Sequence, residues 1–467
     1  MKILSDLLRS SPPENERVTE RLLTGWGRTA PSRATVVKPT SFGWLASTLK
    51  RNHPRGIIAR GLGRSYGDPA QNAGGTVVDM TAMSAVRDIY LDDSIVNVDA
   101  GISLHRMMRL LVPLGMFVPV TPGTRYVTVG GAIASDIHGK NHHVDGTFCD
   151  HVLSFELLLP SGEIRRVTLD SEPDLFNATR GGMGLTGFIL SAEVRMIPID
   201  TSIVMVDTER LPNVDRLLSR MVEDDDRFRY SVAWVDTLAR GGHLGRGVLY
   251  RGNHLTTTRA PERPIDLKLD GPKPSRLSVP DIIPAGLVGV TTARLFNEVW
   301  YRKHPRLERE APQDLSAFFH QLDMVENSNR AYGSLGFVQH QCVLPDGEEP
   351  ALRRILELLS RRQVPTYLVV LKRMGPGNGM LTFPIAGWTL AIDVPAGWSG
   401  LAEFLDEIDR IVVEAGGRLY FAKDSRMNPD LVPEMYPEID GWRDIVNSYD
   451  PDHKLVSDLS RRLKLRD

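Results

Sequence analysis

Cysteine is almost missing from this chain. Cys149 and Cys342 are the only two among 467 residues, and they lie far apart without a paired-cysteine spacing. That excludes a disulfide framework and a cysteine zinc site, and both read as free, buried thiols. An excess of charge is missing too: the formal net charge is -2 and the pI near 6.7. Without a basic face to neutralise a run of phosphates, nucleic acid is excluded as a partner. Long apolar runs are absent. No stretch approaches the ~20 residues needed to cross a bilayer, and Met1 to Arg17 lacks the apolar centre of a secretory signal. A soluble chain, or one resting on a membrane surface, is expected. Repeats and low-complexity tracts are absent as well, and 42% hydrophobic with 24% charged residues describes a folded globular protein. The length calls for two domains.

What the chain has is glycine, 41 of them, and three stretches concentrate the signal. They are Gly61-Leu62-Gly63-Arg64-Ser65-Tyr66-Gly67-Asp68, then Gly130-Gly131-Ala132-Ile133-Ala134-Ser135-Asp136-Ile137-His138-Gly139, and Gly181-Gly182-Met183-Gly184-Leu185-Thr186-Gly187. Successive amides without Cβ atoms can close on a pyrophosphate, so three such loops imply a large nucleotide cofactor. Gly182 to Gly187 matches the G-x-G-x-x-G fingerprint, but its context is reversed. A helix pattern over 174–180 precedes it, and the β-like Gly187 to Val194 follows, whereas a Rossmann turn needs strand first and helix second. The Rossmann reading is rejected.

Hydrophobic periodicity predicts strands over 34–39, 56–60, 76–80 and 94–100. It predicts helices over 40–49 and, capped by Ser103, over 104–114, where Met107 and Met108 read as core. Further on, 352–359 and 401–415 look helical, and 366–371 and 388–394 look like strands. Residues 253 to 286 hold six prolines, which resist both helix and central strand, so a long loop is expected there.

The order of Val37-Lys38-Pro39, the Arg60 to Asp68 loop, Val120-Thr121-Pro122-Gly123-Thr124, the 130–139 stretch and Gly181 to Gly187 resembles the FAD-binding domain of the vanillyl-alcohol-oxidase flavoproteins. Further strings narrow the likeness: Gly139-Lys140-Asn141-His142-His143, Trp300-Tyr301-Arg302-Lys303, Asn329-Arg330-Ala331-Tyr332-Gly333, Gly375-Pro376-Gly377-Asn378 and 417–426. These are similar to the branch of that family that oxidises polyprenyl-phosphoryl ribose, and the likeness covers nearly the whole chain.

The resemblance implies an α+β, PCMH-type two-domain fold. Its FAD-binding domain would span 1–198 and be completed by 418–467. A substrate domain with an antiparallel sheet would be inserted over 199–417, with the proline-rich loop near 253–290. It implies FAD held by Arg60, Gly61, Leu62, Gly63, Arg64, Ser65, Tyr66 and Gly67, by Thr124, Thr128, Gly131, Ser135, Ile137 and His138, and by Gly182, Gly184, Gly187 and Tyr420. Related oxidases often attach flavin through a histidine in the first loop. Here Gly63-Arg64-Ser65-Tyr66 holds none, so the FAD is expected to be non-covalent.

The activity implied is oxidation of the 2′-hydroxyl of a decaprenyl- or other polyprenyl-phosphoryl-β-D-ribofuranose to the keto sugar. A separate NADH-dependent short-chain reductase would complete epimerisation for cell-wall arabinan. Flavin oxidation of an alcohol needs a proton acceptor and positive charge beside the reduced ring. Lys423, expected in a strand-like run, is the first candidate for either duty, with Tyr66 and His138 as further catalytic candidates. Lys140, Trp234, Tyr332, Gln339, Gln341, Lys372 and Ala391 fall at substrate-lining positions, and Gln339 and Gln341 would share one face of a strand. His142 and His143 point apart and lack an acidic partner, so no metal is expected and a surface role is assigned to both.

Three positions depart from the branch. Ala391 stands where pathogenic mycobacterial members have a cysteine, while Phe319 and Val232 stand where a tyrosine and a serine are usual. An aldonolactone or alditol oxidase, or a flavin-binding envelope scaffold without turnover, stays open as an alternative. The family is placed at the cell envelope. Contact of the apolar 277–290 segment with lipid would fit that, and a cytoplasmic location stays open because no export signal is seen.

Overall fold

A computed structural model describes residues 18–258, 267–275, 277–284 and 286–466. Met1 to Arg17 and parts of the proline-rich stretch lie outside the described residues. The α+β expectation holds: the structure combines helices with three larger sheets.

The first sheet has the order Thr19–Leu23, Ser32–Val37, Thr76–Asp79, Ile57–Arg60, with parallel pairing among its last three strands. The second is antiparallel throughout: Val86–Tyr90, Ile95–Asp99, Phe188–Arg195, Val152–Leu158, Ile164–Val167. The first glycine loop follows strand Ile57–Arg60 and the third precedes strand Phe188–Arg195, while the second stretch opens in the short helix Val129–Ala134. Helix Phe42–Leu49 begins where Ser41 accepts a hydrogen bond from the Trp44 amide at 3.1 Å. Helix Leu104–Leu111 begins likewise at Ser103, whose hydroxyl accepts from Arg106 N. Each cap satisfies an amide that the helix itself leaves unpaired. Met107 and Met108 are fully buried, so that stripe is core, each side chain contributing about 1.5–3 kcal/mol of burial.

The third sheet has eight strands joined by antiparallel ladders. Its order is Leu307–Asp314, Ile203–Leu211, Gly247–His254, Tyr230–Val235, Val369–Met374, Gly387–Pro395, Phe337–Pro345, Arg418–Leu419. Helices Glu349–Arg362 and Leu401–Glu414 bury Leu352, Ile355, Phe404 and Ile408 in the same apolar cluster as Cys342, Leu390 and Ile392 of this sheet.

Two expectations shift. The strand predicted over 366–371 runs from Val369 to Met374, because the carbonyls of Thr366 and Tyr367 accept from the side chains of Asn297 and Trp234 instead of from a neighbouring strand. Lys423 is not on a strand: pairing ends at Leu419, and Lys423 N donates to Tyr420 O at 2.9 Å in a turn. Within the proline-rich stretch the described residues carry one short strand, Leu277–Ser278, paired with Val325–Glu326.

The C-terminal tail is clamped to the first glycine loop. Arg462 donates to both oxygens of Asp68, at 3.0 and 2.7 Å, and to Asp424 at 2.7 Å. Asp68 and Asp424 are buried, while the arginine is a quarter exposed. Arg462→Ala is expected to cost about 2–3 kcal/mol, below the ~3–5 typical of a fully buried pair because of that exposure. It should also loosen the cofactor, and urea denaturation with flavin absorbance measures both effects.

Candidate functional site

One cavity of about 750 Å³ runs between the glycine loops and the face of the eight-stranded sheet. Its loop wall begins at Arg60, whose guanidinium donates to Thr24 O at 2.7 Å and to Ala70 O at 2.9 Å and so underpins the turn above it. Trp26 N donates to Ser65 O at 2.7 Å, Gly27 N to Tyr66 O at 3.1 Å, and Tyr66 N to Ala422 O at 2.9 Å. The amides of Leu62, Gly63, Arg64 and Ser65 have no hydrogen-bond partner among the described residues. Four successive free donors on a pinned loop fit an anionic group such as a pyrophosphate. Gly61 must be glycine, since a Cβ there would lie 2.3 Å from the Thr128 hydroxyl. Thr128 accepts from Gly131 N at 3.2 Å and so begins the short helix Val129–Ala134.

Of the cofactor positions, Arg60 through Tyr66, Thr124, Thr128, Gly131, Ser135, Ile137, His138, Gly184, Gly187 and Tyr420 line this cavity. Gly67 and Gly182 do not. At Gly67 a Cβ would stand 1.8 Å from Asp424 O, and at Gly182 2.1 Å from Ala178 O, so both are glycine to let backbone pass against backbone. Thr124 reaches the lining, but its hydroxyl is committed to Asp323 at 2.7 Å. Tyr420 donates to Ser135 O at 2.6 Å and stacks on Phe383 at 4.7 Å.

The opposite wall follows from strand register. Gln341 pairs with Ala391, Ala391 with Val370, and Val370 with Trp234, so one row crosses four strands. Gln339 pairs with Asp393 and Lys372 with Thr389 in the rows on either side. Because side chains alternate along a strand, these residues share one face. Lys140, Tyr332 and Lys423 complete the lining, as do Phe319 and Val232, which make that part of it apolar.

The polar groups are held by one another. Asp393 accepts from Gln339 Nε2 at 2.5 Å and from the Tyr332 hydroxyl at 3.3 Å, and burial pushes its carboxyl up to about 7. Lys423 Nζ sits 3.9 Å over the Tyr66 ring. Burial pulls its amine down to about 7, against which Asp393 favours the charged form. Lys372 is likewise brought to about 7, and Lys140 also, by burial and then by Lys372. Lys140 donates to Phe318 O. The Tyr66 phenol stays neutral because desolvation raises its pKa far above the ordinary value.

Asp393 and Thr389 were not singled out from sequence. The signal was present, since both alternate with Ala391 in an otherwise apolar strand. His142 and His143 are not surface groups: His142 is buried with Nδ1 accepting from Gly375 N at 3.0 Å, and His143 Nε2 meets Phe228 O at 2.9 Å. They fasten the neighbouring chain. Among the described residues no cluster of three or more His, Cys, Asp or Glu could hold a metal ion.

Residues 34–168 match the FAD binding domain family. The chain is 44% identical to decaprenylphosphoryl-β-D-ribose oxidase of Mycolicibacterium smegmatis over 97% of its length and all of that protein's. It is 24% identical to L-gulono-1,4-lactone dehydrogenase of Mycobacterium tuberculosis over 93% of its length and 96% of that protein's.

With alanine at 391 and both thiols buried, Cys342 pushed up to about 12, an electrophile generated in the cavity should leave no adduct. Peptide mass spectrometry should find one only in Ala391→Cys. Denaturing precipitation should leave the flavin in the supernatant, and yellow colour retained in the pellet would contradict non-covalent binding.

Proposed function

The chain belongs to the decaprenylphosphoryl-β-D-ribose oxidase family, and from that premise we propose the reaction and the part that each residue takes in it. The protein is an FAD-dependent oxidoreductase acting on a CH–OH group. The substrate is a polyprenyl-phosphoryl ribofuranose, and the 2′-hydroxyl is oxidised to the ketone. The observation carrying this reading is the cavity itself, with free backbone amides at one end and a row of sugar-sized polar side chains at the other.

Bound flavin supplies the acceptor for the hydride leaving carbon. The chain supplies the rest. The 61–66 loop and the Thr128-capped helix hold the dinucleotide, in a cofactor domain of residues 1–198 and 418–467 around an inserted substrate domain. Gln339, Gln341 and Trp234 orient the sugar from the sheet face. Lys423, whose charged form Asp393 and the Tyr66 ring face favour against burial, offsets negative charge developing during reduction. Tyr66 and His138 position their neighbours as neutral hydrogen-bonding groups.

A polyprenyl chain is insoluble, so the enzyme meets it at a membrane surface at the cell envelope. The surroundings of the cavity mouth support this. In helix Val290–Lys303, Phe296 and Trp300 line the cavity, and Leu295 and Val299 continue that arc outward, 67% and 58% exposed. Leu277 on the strand pair, and Met324 in the turn just before Val325–Glu326, also stand exposed. No described helix is long and apolar enough to cross a membrane, so a surface contact of this kind suits the helix. The keto product requires a separate reductase, which is the proposed NADH-dependent partner.

Anaerobic addition of the lipid sugar should bleach the flavin. Lys423→Met should slow bleaching by about 10²–10³-fold, the range for losing one electrostatic stabiliser, while retaining flavin. Bleaching by free aldonolactones with peroxide release would instead favour a lactone oxidase. The double variant Leu295→Glu/Val299→Glu should bleach normally with detergent-dispersed substrate and poorly with substrate in vesicles. Equal rates in both would remove the membrane contact.

A further inference from the structure

His138 bridges two groups, and the direction of each bond can be read from a fixed end. The Cys342 carbonyl only accepts, so the Thr389 hydroxyl, 2.9 Å away, donates to it. Thr389 Oγ1 then accepts from Gln341 Nε2 at 3.0 Å. That fixes the amide orientation, and the second Gln341 N–H points at His138 Nε2, 3.0 Å away. His138 Nε2 therefore accepts, so its proton is on Nδ1. Nδ1 lies 3.0 Å from Lys372 Nζ. An ammonium has no lone pair to receive that proton, whereas a neutral amine does.

We propose that Lys372 is held as a neutral amine by this chain of fixed polarity, so that the site offers the sugar one ammonium, on Lys423, and one uncharged donor, on Lys372. The amine's lone pair is taken by His138, which leaves two N–H groups for a sugar oxygen. Gln341, Thr389, His138 and Cys342 are all buried, so water cannot readily substitute a bond of the other direction. Protonating Lys372 would require His138 to move its proton to Nε2 and Gln341 to turn over, breaking the bond to Thr389.

Burial favours the same state at Lys372. His138 and Lys140 come from the loop before helix His142–Asp145, His142 from that helix, and Lys423 from the tail turn; Asp393 on strand Gly387–Pro395 faces Lys423, and Arg373 beside Lys372 is paired with Asp346. His138 is held neutral first of all by burial. A charged Lys372 would also work against Lys423, whose amine it pulls down, so neutrality at 372 preserves the charge at 423. Pairs of titratable groups whose surroundings drive them apart divide roles in this way. Thr389 and Gln341 act through His138 and are positioning residues for Lys372.

This inference rests on the oxidoreductase reading only for what Lys372 touches, and its protonation is testable without substrate. On the holoenzyme, trace acetylation by acetic anhydride is followed at each lysine by mass spectrometry as pH is raised. Lys372 should label with a midpoint near about 7, below that of Lys423. Thr389→Val should raise the Lys372 midpoint by about one pH unit, the worth of one hydrogen bond, and Thr389→Ser should restore it. A midpoint at the ordinary lysine value, the reverse order of the two lysines, or no response to Thr389→Val would overturn the assignment.

Stability gives a second measurement. A lysine whose folded pKa lies below its unfolded one binds fewer protons folded, so stability rises between the two values. The wild type should gain stability from about pH 7 towards its ordinary amine value, a rise that Lys140 and Lys423 share, and Lys372→Met should lose the part that belongs to Lys372. An unchanged slope would also overturn the assignment. If the lysines behave as stated and the lipid sugar fails to bleach the flavin, the substrate reading fails and the protonation assignment stands.

Discussion

The turn at 420–424 lies directly on the first glycine loop, and this contact is what the rest of the site depends on. Tyr66 N donates to Ala422 O at 2.9 Å, Gly67 has no room for a Cβ against Asp424 O, and Arg462 ties Asp68 to Asp424. Through it a residue more than 350 positions later in the chain reaches the loop: Lys423 Nζ stands over the Tyr66 ring. The same turn continues into the sheet, because Tyr420 N donates to Gln341 O at 3.0 Å. Loop, tail and sheet face are therefore three sides of one rigid frame, and the cavity is the space they leave.

The frame explains why so many ionisable groups tolerate burial. Three amines, a carboxyl and an imidazole line one cavity, and desolvation alone would neutralise all of them. Partners separate their fates. Asp393 has both oxygens supplied with donors, from Gln339 and Tyr332; Lys423 has an aromatic face and that carboxylate; His138 and Lys372 have each other. The surrounding wall is apolar, with Val232, Trp234, Val370 and Phe319 facing the same space. Low polarity around a few fixed donors strengthens each of them and penalises a misplaced hydroxyl.

Much of this was legible in the sequence because it is local. Ser41 and Ser103 mark helix starts, the methionines at 107 and 108 follow a helical period, and the glycine clusters mark free backbone without any knowledge of what approaches it. The context of Gly182 to Gly187, with helix 173–179 before it and strand 188–195 after it, was enough to reject the dinucleotide fingerprint. What could not be read was set by register. Asp393 is an ordinary acidic residue in a strand until its pairing with Gln339 places it in the cavity. Gly67 looks like its neighbours in the first loop until the tail segment beside it is known, and Gly182 until the end of helix 173–179 is seen to close on it. His142 and His143 resemble solvated polar residues, yet His142 is buried because the strand carrying Lys372 runs on into Gly375, whose amide it receives, and the partly covered His143 is tied to Phe228 O.

The register argument also bears on why the sheet, rather than a loop, carries the sugar-facing groups. A one-residue slip of Gly387–Pro395 against Phe337–Pro345 would turn Thr389, Ala391 and Asp393 into the core and bring Leu390 and Ile392 to the cavity. Helices 349–362 and 401–414 prevent this, since Leu390 and Ile392 are fully buried in the cluster those helices cover. Packing on one face thus sets the chemistry on the other, and the loops can then vary around a fixed row of side chains. Position 391 shows the consequence: it sits between Gln341 and Val370 whatever residue occupies it, so changing its side chain alters reactivity in the cavity without asking the backbone to move.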